Sequence, residues 1–101
     1  MQLERIVGFD WDEANASKSE HKHAVSQRES EQVFFNQPLW VIDDPAHSRQ
    51  EVRAHAFVST DDERLLHVTF TLRAENTLLR VISARDMSTK ERKWYASQND
   101  T

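Results

Sequence analysis

The sequence predicts an α+β domain in which an antiparallel sheet of three to four strands is preceded by two helices and followed by one. Two neighbouring runs, 65–73 and 78–85, carry apolar residues over the length of a strand and are separated by a short polar turn. Two Ser-x-x-Glu patterns predict capping boxes, in which the serine and glutamate satisfy free N–H groups at a helix start. They are Ser26 with Glu29 and Ser88 with Glu91. Helices grouped outside an antiparallel sheet define the α+β class.

The first half of the chain predicts one strand and both N-terminal helices. Residues 5–9 have the composition of a short strand. Asp10 or Asp12 provides the N-cap of a helix that runs to about Lys22, with acidic residues at the positive end of its dipole. The second helix is predicted over 27–36 and is ended by an Asn-Gln-Pro sequence.

The second half predicts the sheet and the last helix. Residues 39–42 and 52–59 form strands on either side of an Asp-Asp-Pro break. The strands 65–73 and 78–85 then pair in antiparallel fashion across a short turn. A final helix is predicted over 88–97.

The alternation in strand 65–73 assigns its two faces. One face is apolar and is expected to pack on the helices, whereas the opposite face is polar and available for function. The apolar set is Leu66, Val68, Phe70 and Leu72, and the polar set is His67, Thr69, Thr71 and Arg73. In the following strand Arg80 and Arg85 point to opposite faces if the strand is regular. Either a bulge near Ser83 brings them together, or one of them anchors a helix or a partner.

Composition and charge exclude several classes of protein. The 101 residues suffice for one domain, assigned to 1–101, and the absence of cysteine excludes disulfides and thiolate metal sites. His21 and His23 would point apart on a helix, so no metal site is predicted. No membrane span and no signal peptide are expected. The net charge is −4, yet residues 73–95 carry six basic against three acidic side chains, which favours local attraction of phosphate.

Several local motifs occur in a characteristic order. They are Phe9-Asp10-Trp11-Asp12-Glu13, Lys22-His23-Ala24-Val25-Ser26, Val33-Phe34-Phe35, Arg80-Val81-Ile82-Ser83-Ala84-Arg85, and Glu91-Arg92 with Tyr95. In this order and spacing they resemble BrnT-type toxins, the ribonuclease halves of bacterial type II toxin–antitoxin pairs. The resemblance extends over nearly the whole chain, and the arginine-bearing block is its most specific part. It implies a RelE-like fold.

The resemblance implies a metal-independent endoribonuclease that needs no cofactor and inhibits translation. The RNA 2′-OH attacks its own phosphate, which requires a base, cations for the developing charge, and an acid for the 5′-oxygen. Arginine suits the phosphate because its planar fork donates two parallel hydrogen bonds. The predicted catalytic residues are Lys22, His23, Arg53, Arg80 and Arg85. The predicted substrate-binding residues are His67, Arg73, Ser83, Glu91 and Tyr95. The base is left open among His23, His55, His67, Glu91 and a lysine.

The resemblance also implies a partner and a location. The partner is a small BrnA-like antitoxin with a ribbon-helix-helix half, which gives a cytoplasmic hetero-oligomer that reaches operator DNA only through the antitoxin. As an alternative, the chain keeps the antitoxin-binding surface without enzymatic activity. Asn15, Ser19 and Ala24 differ from the usual residues of the family, which favours that alternative. In a third interpretation the arginines only form ion pairs within a structural domain.

Overall fold

The computed structural model describes residues 1–47 and 49–99, so the predicted domain limits include Ser48 and the last two residues, which lie outside the described part. Within the described residues the chain forms five strands and three α-helices. In chain order they are β1 (Gly8–Phe9), α1 (Lys18–His23), α2 (Gln27–Gln32), β2 (Trp40–Asp43), β3 (Arg53–Ser59), β4 (Leu65–Arg73), β5 (Leu78–Asp86) and α3 (Thr89–Asn99). No helix in this part of the chain is long and apolar enough to cross a membrane.

The five strands form one mixed sheet in the order β1-β5-β4-β3-β2. Strands β2 to β5 are antiparallel neighbours, whereas β1 pairs with β5 in parallel. The α+β class is therefore confirmed, but the prediction of a purely antiparallel sheet of three to four strands is wrong. A short strand is predicted at residues 5–9, but its parallel pairing is not, because β1 spans only two residues and the pairing extends through flanking backbone bonds: Val7 N–H donates to Thr77 (2.8 Å) and Asp10 N–H donates to Leu79 (2.9 Å).

The helices agree with the predicted caps better than with the predicted lengths. The N-terminal capping box of Ser26 and Glu29 is present in α2, and Glu91 N–H donates to Ser88 at the start of α3. The first helix, predicted from Asp10 or Asp12, begins only at Lys18, because residues 13–17 form turns. Here the Asn15 side chain accepts from the Asp12 N–H and Asp12 accepts from the Ala14 N–H, so side chains replace helical acceptors.

One face of the sheet is covered and apolar. Its members from β3, β4 and β5 are Ala54, Ala56, Val58, Leu66, Val68, Phe70, Leu79, Val81 and Ala84, all essentially inaccessible to solvent. Val25 and Val33 pack on them from the helical side, and the partly buried Phe9 and Phe34 complete the layer. The predicted apolar set in β4 is confirmed for all its members, with Leu72 partly buried. This packing fixes which side chains the strands present to the opposite face.

The opposite face, here called the polar face, owes its composition to an irregularity in β5. Thr69 pairs with Ser83, but the next residue of β4, Phe70, pairs with Val81, so Ile82 is an extra residue. This bulge restores the alternation, and both Arg80 and Arg85 lie opposite polar-face residues of β4. The bulge that the sequence left as one of two possibilities is therefore present near Ser83.

The outer edge of β5 is satisfied by side chains from residues 10–19. Strand β1 pairs with only two residues of β5, so the rest of that edge would otherwise leave backbone N–H and C=O groups without partners. Asn15 Nδ2 donates to the Val81 carbonyl (2.8 Å), and the Ala84 N–H donates to Ser19 Oγ (2.7 Å). Asn15 and Ser19 are both buried. These two departures from the usual family residues therefore sit at the strand edge and away from the polar face.

Candidate active site

The polar face is arranged in three rows that run across β3, β4 and β5. Directly paired residues on neighbouring strands project to the same side, with strands about 4.8 Å apart. The rows are Arg53–Thr71–Arg80, His55–Thr69–Ser83 and Phe57–His67–Arg85. Strand β2 extends the last two rows with Ile42 beside His55 and Trp40 beside Phe57. The sheet thus places His67 beside Arg85 and His55 in the middle row, next to the row of Arg53 and Arg80.

The two histidines form a hydrogen-bonded pair at the centre of the face. His67 Nε2 lies 2.8 Å from His55 Nδ1, and His55 Nε2 lies 2.8 Å from Asp44 Oδ2. Thr69 Oγ1 is also within 3.0 Å of His55 Nδ1. The His67 ring is stacked on Phe57 with a centroid separation of 4.6 Å, which fixes its plane. Orientation of an imidazole by a carboxylate is a common arrangement for a group that transfers protons.

The hydrogen bonds that link Asp44, His55 and His67 determine which ring nitrogens carry a proton. The hydrogen bond from His55 lowers the pKa of Asp44, so that carboxylate accepts and His55 Nε2 carries a proton. In a neutral His55, Nδ1 then accepts from His67 Nε2. This leaves His67 Nδ1 without a proton, facing Glu91 Oε2 at 3.3 Å and making no hydrogen bond to any described residue. The neutral pair therefore has a vacant nitrogen for one more proton.

Burial, followed by the positive charge of Arg85, lowers the pKa of His67 to about 4. The negative charge of Glu91 raises the pKa of His67, but by less than burial and Arg85 lower it. Burial raises the pKa of Glu91, yet hydrogen bonds from Arg85 and from the Ser88 N–H outweigh it and lower that pKa to about 2. His67 is thus neutral and Glu91 ionised at pH 7. Arg85 binds Glu91 through two bonds of 2.9 Å, the parallel geometry that a phosphate would also use.

Arg80, at the other end of β5, is also held by carboxylates. It donates to both oxygens of Asp12 at 3.0 Å and lies 3.5 Å from Asp10. The hydrogen bond to Asp12 raises the pKa of Arg80, and the Arg80 side chain is only 12% exposed. Asp12 is 55% exposed, so the carboxylate is the part of this pair that solvent and ligands reach.

The remaining predicted arginines lie at one end of the face around a single carboxylate. Arg73 Nη2 is 2.8 Å from Glu51, and Arg53 Nη2 is 3.8 Å from the same side chain. Both arginines are at least one third exposed. Arg53 shares a row with Arg80, whereas Arg73 pairs with Leu78 one row farther out. Ser83 lies opposite Thr69 on the same face. Most of the predicted site residues therefore lie on the polar face or against it, namely Arg53, His67, Arg73, Arg80, Ser83, Arg85 and Glu91.

Three predicted site residues do not join this group. Lys22 and His23 lie exposed at the end of α1, where Arg64 donates to the His23 carbonyl (3.2 Å). Tyr95 is buried against Phe57 and Met87, and its hydroxyl donates to the Pro38 carbonyl at 2.6 Å. The arrangement of Tyr95 attaches α3 to the sheet and leaves its hydroxyl occupied.

Two acidic groups of the site were absent from the predicted set. Asp44 was assigned to a chain break and Asp12 to a helix cap, yet they hold His55 and Arg80 respectively. His55 is one of the candidate bases that the sequence offers, although it lies outside the predicted site set. The alternation of β3 puts His55 on the same face as Phe57, and that was the signal available in the sequence.

These features define a small α+β protein whose sheet presents paired imidazoles and arginines on one face, an arrangement suited to phosphate chemistry. A family model described as "Ribonuclease toxin, BrnT, of type II toxin-antitoxin system" matches residues 11–91. No curated protein matches the chain. The chain belongs to the BrnT family of ribonuclease toxins, and a toxin of a type II system has a protein antitoxin as its partner.

Proposed function

We propose that this protein is a metal-independent endoribonuclease whose polar face cleaves RNA by attack of a 2′-OH on the adjacent phosphate, which inhibits translation. The observation that carries the proposal is the His55–His67 pair, held by Asp44 and lying beside Arg85 on the face that also carries Arg80. It rests on membership of a ribonuclease toxin family. The chemistry needs a base, cations and an acid in one place, and this face supplies all three types of group.

In the proposed reaction the histidine pair takes the 2′-OH proton. His55 Nδ1 receives it as that atom gives up its hydrogen bonds with Thr69 Oγ1 and His67 Nε2, and the Asp44 carboxylate stabilises the resulting imidazolium. The proton of His67 moves to its vacant Nδ1, which faces Glu91, so that His67 Nε2 can accept from His55. The 2′-oxygen forms a bond to phosphorus while the bond from phosphorus to the 5′-oxygen breaks, giving a 2′,3′-cyclic phosphate and a 5′-hydroxyl. The leaving 5′-oxygen takes up one proton, which comes from the protonated histidine pair or from water.

The arginines bind the reacting phosphate in this proposal. Arg80 and Arg85 lie in different rows of the face with Ser83 between them. A phosphate over Ser83 would receive charge-assisted hydrogen bonds from both guanidinium groups once Asp12 and Glu91 yield their bonds. Arg53 and Arg73 extend the positive surface toward the neighbouring nucleotide. Lys22, His23 and Tyr95 have no part in this reaction scheme.

One observation favours the alternative of an antitoxin-binding protein without enzymatic activity. Arg80, Arg85 and Arg73 each have a carboxylate within 3.0 Å, so the face is neutralised internally. If these pairs do not open, phosphate is not bound. The altered Asn15 and Ser19, by contrast, support the strand edge and do not favour the alternative.

The test is induction of the protein in a bacterial host combined with cleavage of a defined RNA by the purified chain in EDTA. Growth arrest with RNA loss, abolished by Arg80→Ala, Arg85→Ala or His55→Asn and retained by the surface variant Arg28→Ala, supports the enzyme. Products ending in 2′,3′-cyclic phosphate support the mechanism. Loss of cleavage in EDTA contradicts metal independence. Absence of cleavage with a retained antitoxin complex supports the alternative.

The antitoxin in this proposal is a small ribbon-helix-helix protein of the BrnA type, and the complex is a cytoplasmic hetero-oligomer that binds operator DNA through the antitoxin. The acidic balance of the chain, −4 overall, agrees with a toxin that does not itself bind DNA. Co-expression with the neighbouring gene product and gel filtration test the complex. Operator binding by the toxin alone would contradict this assignment.

A further inference from the structure

We propose that the groove between β2 and α3 binds a nucleobase of the RNA next to the phosphate on the polar face. The groove has a volume of about 350 Å³ and is lined by Ile42, Phe57, Ser88, Lys90, Glu91 and Trp94. This inference rests on the proposed ribonuclease function. It adds a base-binding subsite with apolar walls and a polar rim to a face that otherwise offers contacts to phosphate.

The apolar side chains of the groove lie outside the main core, with Phe57 buried, Trp94 half-buried and Ile42 exposed. Ile42 is 45% exposed, although its neighbour in the row, His55, belongs to the histidine pair. Trp94 meets Trp40 and Phe57 edge-on, at interplanar angles of 70° and 64°. Neither ring is therefore stacked in parallel on Trp94. A half-buried indole beside an exposed aliphatic side chain suits a flat ligand.

The groove and the candidate catalytic groups share residues. Glu91 lines the groove and binds Arg85, and Phe57 lines it while stacking on His67. Ile42 lies two strands from Thr69 along one row, a separation of about 10 Å. That distance suits a nucleotide whose phosphate lies over the middle of the face and whose base points toward β2.

Charge and polarity favour RNA over a peptide at this position. Lys90 and Arg85 place positive charge beside the apolar walls, and Ser88 and Glu91 supply a hydroxyl and a carboxylate for the polar edge of a base. An occupant with a flat apolar surface, polar edges and an adjoining negative charge fits these groups, which describes a nucleotide. An apolar antitoxin segment is the competing occupant, and the experiment distinguishes the two.

The experiment uses a short RNA made non-cleavable by 2′-O-methylation and a matched RNA that is abasic at one position near the scissile bond. Tryptophan fluorescence reports binding to the full chain. For the unmodified chain we expect the abasic RNA to bind about ten-fold more weakly, the size of one base–aromatic stack. In Ile42→Asp this penalty should shrink to less than two-fold, whereas Val7→Ser, another exposed apolar position, should keep it. Ile42→Thr provides a milder second variant, and circular dichroism checks folding.

The outcomes separate the subsite from the enzymatic proposal. Normal cleavage with no abasic penalty at any position overturns the subsite and leaves the ribonuclease intact. An abasic penalty without cleavage of ordinary RNA supports the subsite and counts against the enzyme. Unchanged RNA binding by Ile42→Asp together with loss of the antitoxin complex overturns the subsite and assigns the groove to the antitoxin.

Discussion

Arg80 and Arg85 lie on the same face of β5 because Ile82 is an extra residue between them. In a regular strand an odd separation sends two side chains to opposite faces. The bulge lets one strand contribute Leu79, Val81 and Ala84 to the core and both arginines to the polar face. The bulge therefore takes up Ile82 without moving either arginine off the polar face.

Deletion of Ile82 should leave both faces of the sheet intact. It makes Val81 and Ser83 consecutive, so β5 becomes a regular strand that keeps its pairing with β4 and both arginines on the polar face. We expect a loss of no more than about 2 kcal/mol in the free energy of unfolding, from the half-buried Ile82 side chain. Deletion of Thr69 from β4, which carries no extra residue, should cost more than about 3 kcal/mol, because it sends core residues on one side of the deletion to the polar face. Urea denaturation followed by tryptophan fluorescence measures both losses, and equal stability of the two deletions would contradict the role of the bulge.

Replacement of Asp12 by asparagine should increase the affinity for RNA. The carboxylate of Asp12 occupies the guanidinium of Arg80, and its removal leaves Arg80 available for phosphate. Asparagine keeps the oxygen that accepts from Ala14 N–H, so the local turn is preserved. We expect affinity for a non-cleavable RNA to rise about two- to five-fold, in line with an exposed ion pair. Asp62→Asn makes the same change in net charge at an exposed turn, and an equal gain there would contradict the argument.

The stability of the protein should fall as the pH decreases from 6.5 toward 4. The pKa of His67 is lowered to about 4 in the folded chain, so between these values the unfolded chain binds more protons. The free energy of unfolding then decreases toward acid by up to about 3 kcal/mol, and the lowered pKa of Glu91 adds to the loss below pH 4.5. Chemical denaturation at several pH values measures this slope.

The matched variants for this slope are His67→Gln and His21→Gln. Glutamine at position 67 cannot be protonated, so the dependence between pH 6.5 and 4 should flatten. His21 is exposed on α1, and its replacement should leave the slope unchanged. A His67→Gln chain with the same slope as the unmodified chain would show that other groups determine the acid response.

Ala24→Gly should stabilise the protein. Ala24 follows α1 with φ of 55° and ψ of 35°, a left-handed conformation that costs a residue with a Cβ atom about 1–2 kcal/mol. Glycine adopts it without strain and increases the entropy of the unfolded chain, so the expected net gain is about 0.5–1 kcal/mol. Thermal denaturation is the measurement. A control at Ala14, an exposed position without a positive φ, should show no gain, and a loss of stability in Ala24→Gly would contradict the assignment.

The sequence predicted those parts of the fold that depend on local patterns. Alternation located β4 and its apolar face, and the Ser-Glu spacing located both capping boxes. The pairing of β1 with β5 was missed because two residues carry no periodicity and the partner is distant in the chain. The sequence could not distinguish a bulged strand from a regular one, because each alternation of faces from Leu78 to Arg85 mixes apolar and charged residues.

The candidate site was predicted in part for the same reason. Residue types indicated arginines and histidines, and strand alternation placed His67 correctly on the polar face. Asp44 and Asp12 were missed as site residues because they lie outside strands and reach their partners only through tertiary contacts. Lys22 and His23 were carried over from family resemblance, and no local pattern could report their distance from the histidine pair.

The parallel pairing of β1 with β5 has a consequence for the order in which the chain folds. The meander from β2 to β5 joins neighbouring segments, whereas pairing Gly8 with Leu78 requires closure of most of the chain. Because closing a long loop costs more entropy, we expect β1 to dock last. Until it does, Asp10 and Asp12 are not yet beside Arg80. A newly synthesised chain would therefore present Arg80 without these carboxylates, and an antitoxin made at the same time would meet a more cationic surface at that position than the finished fold offers.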